Sequence, residues 1–327
     1  MLEDQRVGAV YWIDHYVVPT VDGLRWIDFY SNVFGAEPRR DDGDQPERRR
    51  TGEPTRFTWV GRCHVGGGQR SAGVGPGSGL PRYSWFIRPE DVDEHLRRLD
   101  HYGVAHGGPI RTSEVGEPGV AIRFADPDDN QLELWAPDRM PAGAMDSTSS
   151  AKVGCISAAT YESRDLAKTA DFYSRFCGLD PLRSADVAKD TLVLPLAGAG
   201  RLVFKQVDSL GDRTLGRAVY RAMHTAMVVR DDEFVPAMRR MWDELPEWDF
   251  DPDDLPTLSA AEAGALPART CIHGSPIGPE WKRTVGRGDS FCDWDTNGFH
   301  FAAAAPVGGS MTTFEPVSQR RFLTERA

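Results

Sequence analysis

The heptapeptide FYSNVFG begins at Phe29, and FYSRFCG begins at Phe172, 143 residues further on. The lead-in repeats at the same offset. VYWIDHYVVPTVD and VGCISAATYESRD each read as a strand of apolar and β-branched residues closed by an Asp. An amphipathic segment follows each, GLRWIDFYSNVFG and LAKTADFYSRFCG, and stops at Gly35 or Gly178, a usual helix terminator. A chain that writes one strand–helix unit twice is built by repetition, and any fold assigned to it must hold the copies in related places.

Two further units share the layout. RYSWFIRPEDVDEHLRRLDHYG is a strand, an acidic helix start and a helix ending at Gly103, and AMHTAMVVRDDEFVPAMRRMWDEL repeats the order. Acidic residues in a first helical turn complement the positive end of the helix dipole. The chain therefore reads as four units, beginning near Val10, Tyr83, Gly154 and Met223. A second repeated element closes the second and fourth units. FADPDDNQLELW (124–135) and FCDWDTNGFHFA (291–302) share Asp-x-Asp-x-Asn followed by an apolar strand with one polar side chain, Glu133 in the first and His300 in the second.

At 327 residues the chain has room for about two domains of roughly 150 residues. The boundaries expected are 1–138 for units one and two, a Pro-, Gly- and Ser-rich linker at 139–152, and 153–305 for units three and four. An acidic, Pro-rich insertion occupies 245–290, and 306–327 form a tail. With 38 basic against 49 acidic residues the net charge is −11, which argues against nucleic acid and anionic membranes as partners. No apolar run nears the roughly 20 residues of a membrane span, and the N-terminus lacks a signal pattern; the expected location is cytoplasmic. Five cysteines without a CxxC pair predict free thiols rather than a zinc finger. The Gly-rich stretch 65–79 lacks GK[ST] and is read as a hairpin and connector, not a phosphate loop.

The strand–Asp–helix–FY…G pattern at 11–35 and 154–178, together with DPDDNQLEL at 126–134, resembles the vicinal oxygen chelate superfamily: glyoxalase I, bleomycin-resistance proteins and extradiol dioxygenases. The resemblance implies an α+β fold of four βαβββ modules in two barrel-like domains. It also implies that a divalent metal is held by residues on the first and last strands of paired units. Carried over residue by residue, the first-strand positions are His15, Ser84, Ala158 and His224, and the last-strand positions are Ala72, Glu133, a residue near Phe204, and His300.

Which ligands meet depends on pairing. If units pair in chain order, His15 meets Glu133 and His224 meets His300, giving two half-sites. If the first unit pairs with the fourth, then His15, His224 and His300 converge and the other cavity retains only Ser84, Glu133 and Ala158. A catalytic divalent ion usually takes three protein ligands and keeps open positions, so the second arrangement is preferred. It resembles the hydroquinone-cleaving dioxygenases, with His300 in place of their Glu. Fe(II) is the expected ion; Zn, Mn, Ni and Cu also suit the donors. His273 is the candidate catalytic acid or base. His64 is read as a loop histidine, and His95, His101 and His106 as surface residues.

The resulting expectation is a metal-dependent enzyme acting on a small aromatic or enolic oxygen-chelating substrate, most specifically a ring-cleaving dioxygenase. A metal-free drug- or metabolite-binding protein of the bleomycin-resistance type, and a metal-dependent isomerase or lyase, are the alternatives. A homodimer is compatible with each.

Overall fold

The computed structural model describes residues 10–38, 57–69, 80–211, 213–214, 224–229, 240–241, 243–248, 257–271 and 289–303. The first unit comprises β1 (Val10–Thr20), α1 (Gly23–Phe34), β2 (Glu37–Pro38), β3 (Phe57–Val60) and β4 (Cys63–Gln69). The second comprises β5 (Arg82–Phe86), α2 (Val92–His101), β6 (His106–Thr112), β7 (Gly119–Ala125) and β8 (Gln131–Pro137). The third holds β9 (Ile156–Ser163), α3 (Leu166–Cys177), β10 (Thr191–Pro195) and β11 (Arg201–Gln206). After β12 (Arg213–Thr214), the described elements of the fourth are β13 (His224–Val229), β14 (Glu247–Trp248), β15 (Thr257–Leu258), α4 (Ala260–Ala265), β16 (Arg269–Cys271), β17 (Asp289–Cys292) and β18 (Gly298–Ala303).

Helix α1 forms because its apolar residues recur at helical spacing. Trp26, Phe29, Tyr30, Val33 and Phe34 make one buried face. The Asp22 carboxylate accepts from the Leu24 and Arg25 amides, and Asp165 caps α3 in the same way through Ala167 and Lys168. Gly35 ends α1 at φ 61° and Gly178 ends α3 at φ 65°. A Cβ at Gly35 would also lie 2.5 Å from the Ala151 nitrogen, so both backbone conformation and space demand glycine there.

The strands form two large sheets. One has nine strands in the order β14-β16-β17-β18-β13-β1-β4-β3-β2, and the other has seven in the order β10-β11-β9-β5-β8-β7-β6. The first unit therefore joins the fourth through antiparallel β1 and β13, and the second joins the third through antiparallel β5 and β9. Each sheet takes one unit from each half of the chain. The architecture is the α+β arrangement of four repeated units that the sequence predicts.

The sheets meet where β1 approaches β9. Tyr16 stacks on Tyr83 at 3.8 Å between ring centroids, and the Trp85 indole donates to the Tyr16 hydroxyl at 3.1 Å. Trp85, Tyr16 and Tyr83 are almost wholly buried. Each polar ring edge here has a partner, which is what makes the burial of tyrosines affordable.

The repeated Asp-x-Asp-x-Asn segments are structural turns. Asp126 accepts from the Asp128 and Asn130 amides, and the Asn130 amide side chain donates to Asp126 and, across the fold, to the Pro19 carbonyl at 2.9 Å. Asp293 accepts from the Asp295 and Asn297 amides and from the Tyr173 hydroxyl, while Asn297 reaches the Glu162 carbonyl at 3.2 Å. The second unit's turn thus grips the end of β1, and the fourth unit's turn grips the end of β9. Burial pushes both carboxyls, Asp126 and Asp293, up to about 6. The turns tie the two units within each half of the chain, while the sheets tie units from different halves.

The region expected to be a linker is packed rather than extended. Lys152 pairs with Asp91 and Glu94, the Ser150 hydroxyl donates to the Gly35 carbonyl, and Ala144 and Ala151 are buried. Cys63, Cys155, Cys177 and Cys292 are buried thiols outside any disulfide. Among the described residues no helix is long and apolar enough to cross a membrane.

Candidate metal centre

The site follows from strand register. Across the nine-stranded sheet, His15 on β1 lies opposite His64 on parallel β4 and opposite Ala226 on antiparallel β13, and Ala226 lies opposite His300 on β18. The equivalent row of the other sheet runs Glu133, Ser84, Ala158, Arg201. The two rows occupy the same places in two copies of one architecture. One carries histidines; the other carries a carboxylate, a hydroxyl, a methyl and a guanidinium.

His224 stands two residues before Ala226, on the same side of β13 by strand alternation. Its Nε2 lies 3.1 Å from Nε2 of His15, although the residues are 209 positions apart. Both imidazoles are buried. The other ring nitrogen of His15, Nδ1, lies 2.8 Å from Oδ2 of Asp14. His64 stacks on His15 with centroids 4.1 Å apart and 27° between planes, and its Nδ1 is 3.6 Å from the same Asp14 oxygen. Asp14, His15 and His64 form a buried cluster whose donor atoms lie within 4.8 Å of one another. On its far face His64 meets the Trp59 ring at 4.3 Å.

The structure brings His15 and His224 together and places the backbone of His300 in register beside them. His273 and Ala72 lie outside the described residues. His64 corrects the sequence reading: it is a buried strand residue, not a loop histidine. The run CHVGGGQ obscures this because its three glycines read as a turn, yet β4 pairs with β1 from His15 to Thr20. At Gly67 a Cβ would lie 2.9 Å from Thr20 and 3.3 Å from the Trp26 ring, so the glycine lets strand and helix close up. The last-strand position of the first unit is therefore His64, and that of the third is Arg201 rather than a residue near Phe204. His95 is also buried rather than on the surface, and burial pulls its pKa down to about 4.

Glu133 is taken up within the other sheet. It accepts from the Ser84 hydroxyl at 2.7 Å and from Arg123 at 2.8 Å, with Arg82 at 3.4 Å. Glu114 bridges Arg82, Arg123 and Lys205 beside it. Burial opposes ionisation of Glu114, yet Arg82 and Arg123 outweigh it and bring its pKa down to about 2.

The fold and the row of histidines across it are of the kind that the vicinal oxygen chelate resemblance implies: repeated units paired into two large sheets, with His15, His64 and His300 in register across one of them. Residues 12–134 match the family model described as Glyoxalase/Bleomycin resistance protein/Dioxygenase superfamily, so the first two units are similar to members of that superfamily. A Bacillus subtilis subsp. subtilis str. 168 protein described as a "putative dioxygenase" is similar over 97% of this chain and 95% of its own, at 16% identity and a TM-score of 0.58. Glyoxalase I from Zea mays is similar over 89% of this chain and 91% of its own, at 14% identity and a TM-score of 0.53. Identities this low establish the shared fold. No curated protein matches the sequence.

Proposed function

We propose that His15, His224 and His300 hold one divalent metal ion, best Fe(II), and that the protein is a metal-dependent enzyme acting on a small oxygen-chelating aromatic or enolic substrate, most specifically as a ring-cleaving dioxygenase. The observation that carries this reading is the 3.1 Å between the Nε2 atoms of His15 and His224. Two metal–nitrogen bonds of about 2.1 Å at 90–110° put their nitrogens about 3.0–3.4 Å apart. The two imidazoles therefore already have the spacing of neighbouring ligands on one ion. The register of β13 with β18 sets His300 on the adjoining strand, and His64 adds a further imidazole on the opposite side of His15.

A bound divalent ion would act as a Lewis acid, lowering the pKa of a chelated hydroxyl. The chain's own contribution is to hold that ion on neutral donors. Three imidazoles bring no charge, so the ion retains more of its positive charge than it would on a site with a carboxylate ligand. The strands fix the ligands rigidly, since each belongs to a ladder continued on both sides. His273, in the insertion, is the proposed acid or base for substrate protons, and the protein's proposed location is the cytoplasm.

The test is the metal content of freshly purified protein and of His224→Ala. One ion per wild-type chain, lost in a folded His224→Ala variant, is the expected result; full retention in the variant would overturn the site. Anaerobic loading with Fe(II), followed by oxygen uptake with phenolic substrates, then separates a dioxygenase from an isomerase or lyase. Wild-type protein that binds no metal but does bind aromatic ligands would favour the binding-protein alternative.

A further inference from the structure

Adjacent residues of a regular strand point to opposite faces, so Asp14 and His15 should not touch. They do touch, because β1 is bulged between them. Ile13 lies opposite Met227 and His15 opposite Ala226, leaving Asp14 as the extra residue on β1. A bulge re-aims side chains, and bulges concentrate beside functional sites. Here the effect is to bring a buried carboxylate, 4% exposed, onto the same side as His15.

We propose that Asp14 is the positioning residue of the metal centre, one carboxylate oxygen serving two imidazoles. Its Oδ2 stands 2.8 Å from Nδ1 of His15 and 3.6 Å from Nδ1 of His64. The first is a hydrogen bond and the second a close electrostatic contact. A carboxylate only accepts, so a neutral His15 ring donates from Nδ1 and keeps its lone pair at Nε2, while the same carboxylate oxygen favours an N–H at the nearby Nδ1 of His64 by electrostatic attraction. Because the two rings are stacked with their Nδ1 atoms near one oxygen, their Nε2 atoms lie on the side away from Asp14. On His15 that is the atom facing His224. The arrangement is a carboxylate–imidazole–metal relay in which one outer group orients two rings. The inference rests on the metal reading above and adds a residue to it: the ion is held through Nε2 atoms, and Asp14 is not itself a ligand.

The experiment uses the full chain, stripped with chelator and titrated with Zn(II) and Co(II) against a chromophoric competitor, in wild type, Asp14→Asn, Asp14→Ala and His224→Ala. Asp14→Asn is nearly isosteric and keeps the protein comparable if the alanine variant does not fold. The expected result is one ion per chain in both Asp14 variants with affinity lowered roughly 10–100-fold, less in Asp14→Asn than in Asp14→Ala, and no stoichiometric binding in His224→Ala. In the Co(II) form, the solvent-exchangeable imidazole N–H resonances shifted by the metal should exchange faster in the Asp14 variants, which a general loss of stability would not produce selectively. Wild-type affinity in both Asp14 variants, with His224→Ala inactive in binding, would overturn the role of Asp14 and leave the metal reading standing. Complete loss of the ion in folded Asp14→Asn would make Asp14 a ligand and also overturn the proposal. Absence of binding by wild type would remove the metal reading itself, before any variant is considered.

Discussion

Glu133 offers the most direct test of which residues share a cavity. It occupies the last-strand position of its unit, where a metal ligand is expected by analogy with the superfamily, yet its carboxylate is already engaged. Glu133→Gln keeps the shape and an acceptor for the Ser84 hydroxyl but presents an amide N–H₂ towards Arg123, and it leaves Arg82, Arg123 and Lys205 facing Glu114 alone. Removing one member of a buried pair costs about 3–5 kcal/mol. The Arg123 side chain is 33% exposed and so partly compensated by water, whereas Arg82 is 10% exposed. The lower end applies, about 3 kcal/mol of lost stability. Urea denaturation of the two proteins measures it as a lower midpoint at unchanged slope, and metal analysis of the folded variant should give the wild-type stoichiometry. If Glu133→Gln were as stable as wild type and had lost its metal, both the ion-network account and the assignment of Glu133 to a separate cavity would be refuted.

Other outcomes follow from the same structure. Gly35→Ala combines a φ of 61° with a Cβ 2.5 Å from the Ala151 nitrogen, so a loss of about 1–3 kcal/mol is expected by denaturant titration. His95 is held neutral by burial, against the pull of Asp91 and Glu94, with its pKa lowered from 6.5 to about 4. The unfolded chain then binds the extra proton between those values, so stability is full above about pH 6.5 and falls as pH drops towards 4, by up to about 3 kcal/mol. His95→Leu should flatten that part of the stability profile, and an unchanged slope would show that His95 does not set it. Metal content in His224→Ala and affinity in the Asp14 variants complete the set.

The sequence by itself determined the repeat, and through it the fold. The matched FYSNVFG and FYSRFCG helices, their Asp caps and their terminal glycines are local features, read from spacing and side-chain chemistry without a partner. The two Asp-x-Asp-x-Asn turns were equally legible, because their hydrogen bonds begin within five residues. His15, His224 and His300 could be singled out as chemistry-bearing residues on predicted strands. What sequence could not decide was which strands meet. Pairing of β1 with β13 and of β5 with β9 is a choice between surfaces far apart in the chain, and the apolar patterns of the four first strands are too alike to select it. That choice separates Glu133 from His15 and brings His224 to it. The buried place of His64 also needed the tertiary structure, since its glycines look like a turn until α1 packs against them. So did the meeting of Asp14 and His15: strand alternation forbids it, and only the register of β1 against β13 reveals the bulge that allows it.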